Sequence, residues 1–365
     1  MQGQNQPLII GAGPTGLAAA IFLHERGIVP LIVDKREARS PYSKAFGVNA
    51  RTLSLLESSG VTNKFLENGW KLEKLRLRRS GQVLGTIGLH EVPADYPFML
   101  VQGQEASERI LEEELNRRGI FVERGVEVKD TALSGGDGRV TLLSSGTEKT
   151  VTASQILVAE GAASETRKRL GVEFEGESYP EPWSLIDLEL ETELDPNEAS
   201  IFMLDEGGMF VVRHTGNIWR VLGNAPNLLS HLPSSTKTGE IAWESTFEIA
   251  NRVAKKFQVG PYYFAGDAAH VHAGIGARGM NLGIEDAYVW AELLGRGQLH
   301  RYEKIRRPAI KKVVGQIRRA MNVPRPQTLP GKFVRRVPWL VKRVLPHASK
   351  KAGSWILGLD HTLGL

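Results

Sequence analysis

The chain of 365 residues contains no cysteine. That excludes disulfides, thiolate metal sites and a cysteine nucleophile, and it fits a cytoplasmic protein. Long hydrophobic runs are also missing. The apolar stretch 7–23 is broken by glycines and by Pro14 and has no basic segment before it, which argues against a signal peptide or a membrane span. No internal repeat, Ser-His-Asp set, carboxylate pair or metal-ligand cluster stands out. His270 and His272 are two residues apart but have no third ligand in the pattern, so no metal is expected. The catalytic residues, a general base among them, stay unassigned. Negative charge is scarce at one end: residues 301–365 hold 16 Lys and Arg against Glu303 and Asp360, a formal +14. The whole chain carries +5, so the preceding 300 residues carry −9.

With 41% hydrophobic and 24% charged residues the composition is that of a globular protein, and the length suggests about two domains. Leu8-Ile9-Ile10 reads as a strand leading into Gly11-Ala12-Gly13-Pro14-Thr15-Gly16 and a helix to about Arg26. Leu31-Ile32-Val33 is the next strand and closes on Asp34. These glycines allow the tight turn, the close approach of backbone to a pyrophosphate, and close helix–strand packing. Asp34 is placed to bind an adenosine ribose. Spacing alone does not separate NAD from FAD.

A second stretch organises the rest. Tyr262 to Ala265 is a short buried strand, followed by Gly266-Asp267-Ala268-Ala269-His270 and a glycine loop through Gly274, Gly276 and Gly279-Met280-Asn281. A helix then runs from Leu282 to Leu294. Such a loop leaves free N–H groups at a helix N-terminus, where they can hold an anion. Asp267 sits where a carboxylate can accept hydrogen bonds from ligand hydroxyls.

This second stretch, with Asp286-Ala287 in register, resembles the second FAD-binding motif of the flavin monooxygenases related to p-hydroxybenzoate hydroxylase and phenol hydroxylase. The resemblance covers roughly residues 7–315. Departures from the family pattern are visible, among them Gly103 in place of a common proline before Gln104. Gly274 and Gly276-Ala277 stand where the family usually has a proline and a double glycine, Lys44 stands for its arginine, and Glu160 stands for the aspartate of its Asp-Gly motif. The resemblance implies FAD, held by Gly11, Gly13, Pro14, Thr15, Gly16, Asp34, Lys35, Lys44, Arg51, Gln104, Glu160, Gly266, Asp267, Gly276, Gly279, Met280 and Asn281. For Arg51 a surface position on its helix is an equal reading. The resemblance also implies NADPH or NADH as reductant, O2, and hydroxylation of a phenolic or polyketide-like aromatic substrate through a flavin C4a-hydroperoxide. Two other readings stay open: a flavin oxidoreductase without oxygen insertion, and a non-catalytic flavin-holding interaction protein.

The expected fold is α/β with mixed α+β character: a Rossmann-like FAD-binding domain with an inserted antiparallel sheet. The FAD-binding domain would take residues 1–75, 100–182 and 243–320, and the substrate sheet 76–99 and 183–242. A basic helical tail would take 321–365. Met203, Met209, Phe210 and Trp219, on strands of the inserted sheet, are candidate substrate contacts. The spacing predicts helices over 243–257 and 309–321, and over 333–345 with a break at Pro338. The tail is expected to dock on the acidic body, with an anionic membrane as the alternative. Nucleic acid is disfavoured because no reading motif accompanies the charge. Oligomeric state is not legible.

Overall fold

The computed structural model describes residues 6–39 and 45–365. Its centre is a six-stranded sheet ordered Gln258–Val259, Tyr262–Phe264, Ile156–Val158, Leu8–Ile10, Leu31–Asp34, Val122–Arg124, parallel except at the first edge. Leu8, Ile9, Ile156, Leu157, Phe264 and Val33 are fully buried, as expected for parallel strands covered on both faces. Around this sheet lie α1 (Pro14–His24), α2 (Ala50–Leu56), α3 (Val61–Asn68), α4 (Gln104–Arg117), α5 (Glu165–Arg169) and α6 (Arg278–Gly295). The tail supplies α7 (Tyr302–Ala320), α8 (Leu329–Arg336) and α9 (Pro338–Ile356). Buried Leu17, Ala18, Ile21 and Phe22 on α1 and Leu282, Val289 and Trp290 on α6 join one core with the sheet.

A second sheet has eight strands, ordered His270–Val271, Lys237–Ala254, Phe174–Glu191, Ile218–Gly223, Gly208–Thr215, Glu198–Met203, Lys74–Arg79, Gln82–Gly88. All neighbours are antiparallel except Lys74–Arg79 with Glu198–Met203. Two small antiparallel sheets complete the chain: Val126–Ser134 with Asp137–Ser144 and Thr147–Ala153, and Gly47–Val48 with Met99–Val101 and Trp70–Leu72. The mixed α/β class is as the sequence predicts.

The expected helix at 243–257 is wrong. Residues 237–254 form one long strand paired with Phe174–Glu191 from Phe174↔Ala254 to Glu191↔Lys237. Buried Ile249, Asn251 and Val253 alternate with Ala250 and Arg252, a period of two that a helical reading of Trp243, Phe247 and Val253 overlooks. A partner strand of 18 residues satisfies the backbone instead of an intrahelical ladder. The tail helices occur, with other bounds. α7 begins at Tyr302 and carries Pro308 inside it. α8 and α9 flank Val337, and α9 continues through Pro346.

Candidate active site

Three separated segments meet over the carboxyl ends of the central strands. A methyl on Gly11 would lie 2.3 Å from the Ala159 carbonyl oxygen, next to Glu160, and one on Gly16 would lie 1.9 Å from the Gly11 carbonyl oxygen. Methyls on Gly266 and Gly283 would both meet the Thr15 hydroxyl, at 2.5 and 2.3 Å. The first glycine loop therefore touches the strand end at 159–160 and the Gly266 turn with no room for side chains. Gly13 differs: apart from its chain neighbours, no atom lies within 4 Å of where its Cβ would be. It begins α1, whose N-terminus has no side-chain cap. Open space over uncapped N–H groups is what a diphosphate needs.

At the end of its strand, buried Asp34 accepts hydrogen bonds from Ala12 N at 2.7 Å and Arg36 N at 2.8 Å, and from the Arg36 guanidinium at 3.2 Å. Burial alone would raise the Asp34 pKa, but these bonds outweigh it and hold the carboxylate below its ordinary range. Glu108 on α4 lies 3.9 Å from Arg36 on the other side. Burial pushes its pKa up despite that charge and its bond from Gln104 Nε2 at 2.9 Å.

The Gly266 turn is fixed from below by Asp286 of α6. One carboxylate oxygen accepts from Gly266 N at 3.0 Å and lies 2.7 Å from His270 Nε2; the other accepts from Arg306 Nε of α7 at 2.7 Å. All three side chains are buried. Asp267, the residue after the anchored one, is exposed. His272 lies against the main chain, with Nδ1 2.9 Å from the Ala273 carbonyl oxygen. Burial lowers its pKa to about 4, so the ring is neutral near pH 7.

Leading into α6, Gly276 and Ala277 both adopt left-handed backbone, at φ 74° and 52°. For alanine this costs about 1–2 kcal/mol. Its methyl faces Gly47, on which any side chain would collide with it at 2.8 Å. Asn281 locks the same contact by donating to Gly47 O at 2.9 Å and accepting from Asn49 N at 3.0 Å. Gly279 and Met280, in the first turn of α6, are half-buried.

The far end of the chain closes this loop, which the sequence does not foretell. A methyl on Gly276 would meet the Trp355 ring at 2.7 Å. Arg278, fully buried, donates from Nη1 to Trp355 O and to Asp360 at 2.9 Å, while its Nε and Nη2 have no partner among the described residues. Arg51 donates to the carbonyls of Gly358 at 2.7 Å and His361 at 2.6 Å, so it is not a surface residue. His361 Nε2 lies 2.7 Å from Glu285. Burial would lower the His361 pKa, but the hydrogen bonds to Asp360 and Glu285 prevail and raise it.

A histidine raised on folding contributes stability that is complete below its unfolded value, about 6.5, and is lost as pH climbs through the folded value. Buried Glu285 and Asp286 and half-buried Asp360 are held low by their cationic partners against burial, so their contribution disappears only in acid. Melting temperature should therefore decline as pH rises above about 6.5, and decline less in His361→Gln. Melting curves of the two proteins across neutral to alkaline pH check this.

The inner face of the large sheet looks onto the same loop. Phe210 and Val212 belong to a cluster with Phe46, Ala277 and Trp355. Asp187 and Arg220 share this face as a buried pair, with Nε to Oδ1 at 2.8 Å and Nη2 to Oδ2 at 2.7 Å, and Arg220 lies 5.3 Å from the Phe46 ring centre. Met209 and Trp219 point the other way, into a cluster with Ile186, Leu188 and Val221. Of the four candidate substrate contacts, Phe210 thus faces the loop, Met209 and Trp219 do not, and Met203 is buried at a strand end. Phe46, Asp187 and Arg220 were not among the predicted site residues. The alternation of apolar and acidic residues over 186–191 signals a two-faced strand without telling which face turns inward.

The remaining predicted residues are placed as follows. Lys35 is exposed and Pro14 half-buried. Gln104 begins α4 and accepts from Ala45 N at 3.4 Å. Glu160 accepts from Ser164 Oγ at 2.6 Å and Thr166 N at 3.1 Å, which caps α5. Lys44 lies outside the described residues. No group of three or more metal-ligating side chains converges among those described.

The sequence profile of a family described as FAD binding domain matches residues 4–221 and 223–316. The chain belongs to that family. Among curated relatives, pentachlorophenol 4-monooxygenase of Sphingobium chlorophenolicum is 28% identical over 302 residues, 77% of this chain and 56% of the relative. For 6-methylpretetramide 4-monooxygenase of Streptomyces rimosus the figures are 28% over 302 residues, 78% and 54%. The chain thus spans about half the length of these relatives. Among solved structures, p-nitrophenol 4-monooxygenase from Pseudomonas putida DLL-E4 superposes with a TM-score of 0.84 at 19% identity, covering 99% of both chains. That likeness establishes a shared fold. The resemblance to FAD-dependent aromatic hydroxylases read from the motifs is borne out.

Proposed function

We propose that the chain works as an FAD-dependent monooxygenase that takes electrons from NADH or NADPH and places one atom of O2 on a phenolic or polyketide-like aromatic ring. The observation that carries this reading is the open space over Gly13 at the uncapped start of α1, next to the tightly packed Gly11, Gly16 and Gly266. A flavin dinucleotide fits that combination. Gly11, Gly13, Pro14, Thr15 and Gly16 would receive its diphosphate, and Asp34 its adenosine ribose. Asp267, held by the Asp286 anchor, would accept a hydrogen bond from a ligand hydroxyl. Gly276, Gly279, Met280 and Asn281 would border the ring system, where the uncapped N-terminus of α6 and the spare donors of Arg278 favour negative charge.

When bound, FAD supplies the redox and oxygen-transfer chemistry. The protein's share is orientation and exclusion of water. Phe210, Phe46 and Val212 form an apolar wall facing the loop, against which an aromatic substrate would stack. The buried Asp187–Arg220 pair stiffens that wall. The relatives' names, which concern chlorinated phenol and a polycyclic pretetramide, support an aromatic substrate without selecting one.

Incubation of the FAD-loaded protein with NAD(P)H, ¹⁸O-labelled O2 and a panel of phenols and polyketides tests the reading. The expected result is one labelled oxygen in a product, seen by mass. Oxidation of NAD(P)H with the label found only in peroxide and water, across the panel, would favour a flavin oxidoreductase instead.

A further inference from the structure

One face of α9 is fixed to the body. Leu345 packs on Gly85, Ser349 Oγ accepts from Gly88 N at 3.1 Å, and Gly353 packs on Val92. The solvent-exposed part of α8 and α9 is unlike the rest of the surface. Four large apolar side chains stand out from it within 16 residues: Leu329 at 83% exposure, Phe333 at 50%, Trp339 at 65% and Val344 at 53%. Interspersed with them are exposed Lys332, Arg336, Lys342, Arg343, Lys350 and Lys351. Residues 329–356 contain no Asp or Glu. None of these six side chains has an ion pair or hydrogen bond among the described residues. Several other tail cations are engaged: Arg325 meets Glu181, Arg318 meets Glu177, and Arg335 donates to the carbonyls of Leu204, Gly207 and Pro324. Intramolecular docking accounts for the inner face and leaves the outer one unexplained.

We propose that the outer face of α8–α9 is a peripheral docking surface for an anionic lipid bilayer. A bilayer boundary offers both things this face needs: an apolar layer for Leu329, Phe333, Trp339 and Val344, and headgroup anions at the level reached by long basic side chains. A second copy of the chain fits poorly, because a two-fold contact through one patch would set six unpaired cations against six more. Nucleic acid would meet the cations but give the exposed leucine and valine nothing to cover them. No described helix is long and apolar enough to cross a membrane, so the contact lies in the interface plane.

Sedimentation of the full FAD-loaded chain with vesicles tests this. Phosphatidylcholine vesicles containing phosphatidylserine should bind it at least about tenfold more strongly than phosphatidylcholine alone, and added salt should weaken that binding. Phe333→Ser with Trp339→Ser, and separately Lys342→Glu with Arg343→Glu, should each lower the bound fraction about tenfold. Melting temperature and FAD content should stay unchanged, since all four side chains are exposed. No vesicle binding, or binding indifferent to both pairs of substitutions, overturns the proposal. So does retention on duplex DNA that is lost with Lys342→Glu and Arg343→Glu while vesicles bind nothing.

Discussion

Gly13→Val is expected to leave unfolding of the apoprotein unchanged and to raise the FAD dissociation constant by about two orders of magnitude, or about 2.8 kcal/mol. The two halves of this expectation rest on different features. Gly13 has φ −78° and ψ −177°, a conformation any residue adopts, and its Cβ direction is empty to 4 Å. A Cβ there meets no protein atom beyond its chain neighbours, so the effect of the substitution on folding should stay within about 0.5 kcal/mol. If a diphosphate lies over the start of α1, the valine methyls occupy its place. Urea unfolding of the apoprotein and titration with FAD separate the terms. Unchanged FAD affinity would remove the diphosphate from this loop, whereas a large loss of stability would mean that the space is not open.

The second large effect belongs to Asp286→Ala, which should lower stability by about 3–5 kcal/mol, the usual result of removing one partner from a buried charged pair. The carboxylate serves Gly266 N, His270 and Arg306 together, and all three side chains are at or near zero exposure. Alanine leaves Arg306 with Glu285 alone, at 3.3 Å, and frees the Gly266 N–H. Because Gly266 carries Asp267, FAD affinity should fall in the same variant. Asp286→Asn keeps the volume and one acceptor, so it should lose less. Urea midpoints for wild type and both variants decide the matter, and equal midpoints would contradict the buried cluster.

Local chemistry was legible in the sequence; long-range closure was not. The unit from Leu8 to Asp34 can be read because strand, glycines, helix and acidic terminus follow one another within 27 residues, each tied to one backbone requirement. The Gly266 turn and the loop before α6 can be read for the same reason. Arg51, by contrast, is tied to carbonyls more than 300 residues away, and nothing in its own neighbourhood names them. Asp187 and Arg220 sit on a strand face that alternation alone does not orient, and the packing of the large sheet over Phe46 turns it inward. The misread helix at 243–257 shows the same limit from another side. Its 18-residue partner strand lies well before it in the chain, and pairing with that strand overrode a local spacing compatible with a helix.

The closure of the loop by Trp355, Asp360 and His361 bears on how the protein is made. Arg278 and its partner Asp360 are 82 residues apart, and Glu285 and His361 are 76 apart. At ribosomal rates of about 5–20 residues per second, Arg278 is synthesised on the order of 4–16 s before Asp360. During that interval the central parallel sheet has all its strands, yet two charges destined for the interior still face water. The loop that leads into α6 can reach its final shape only after residue 361 has cleared the ribosome.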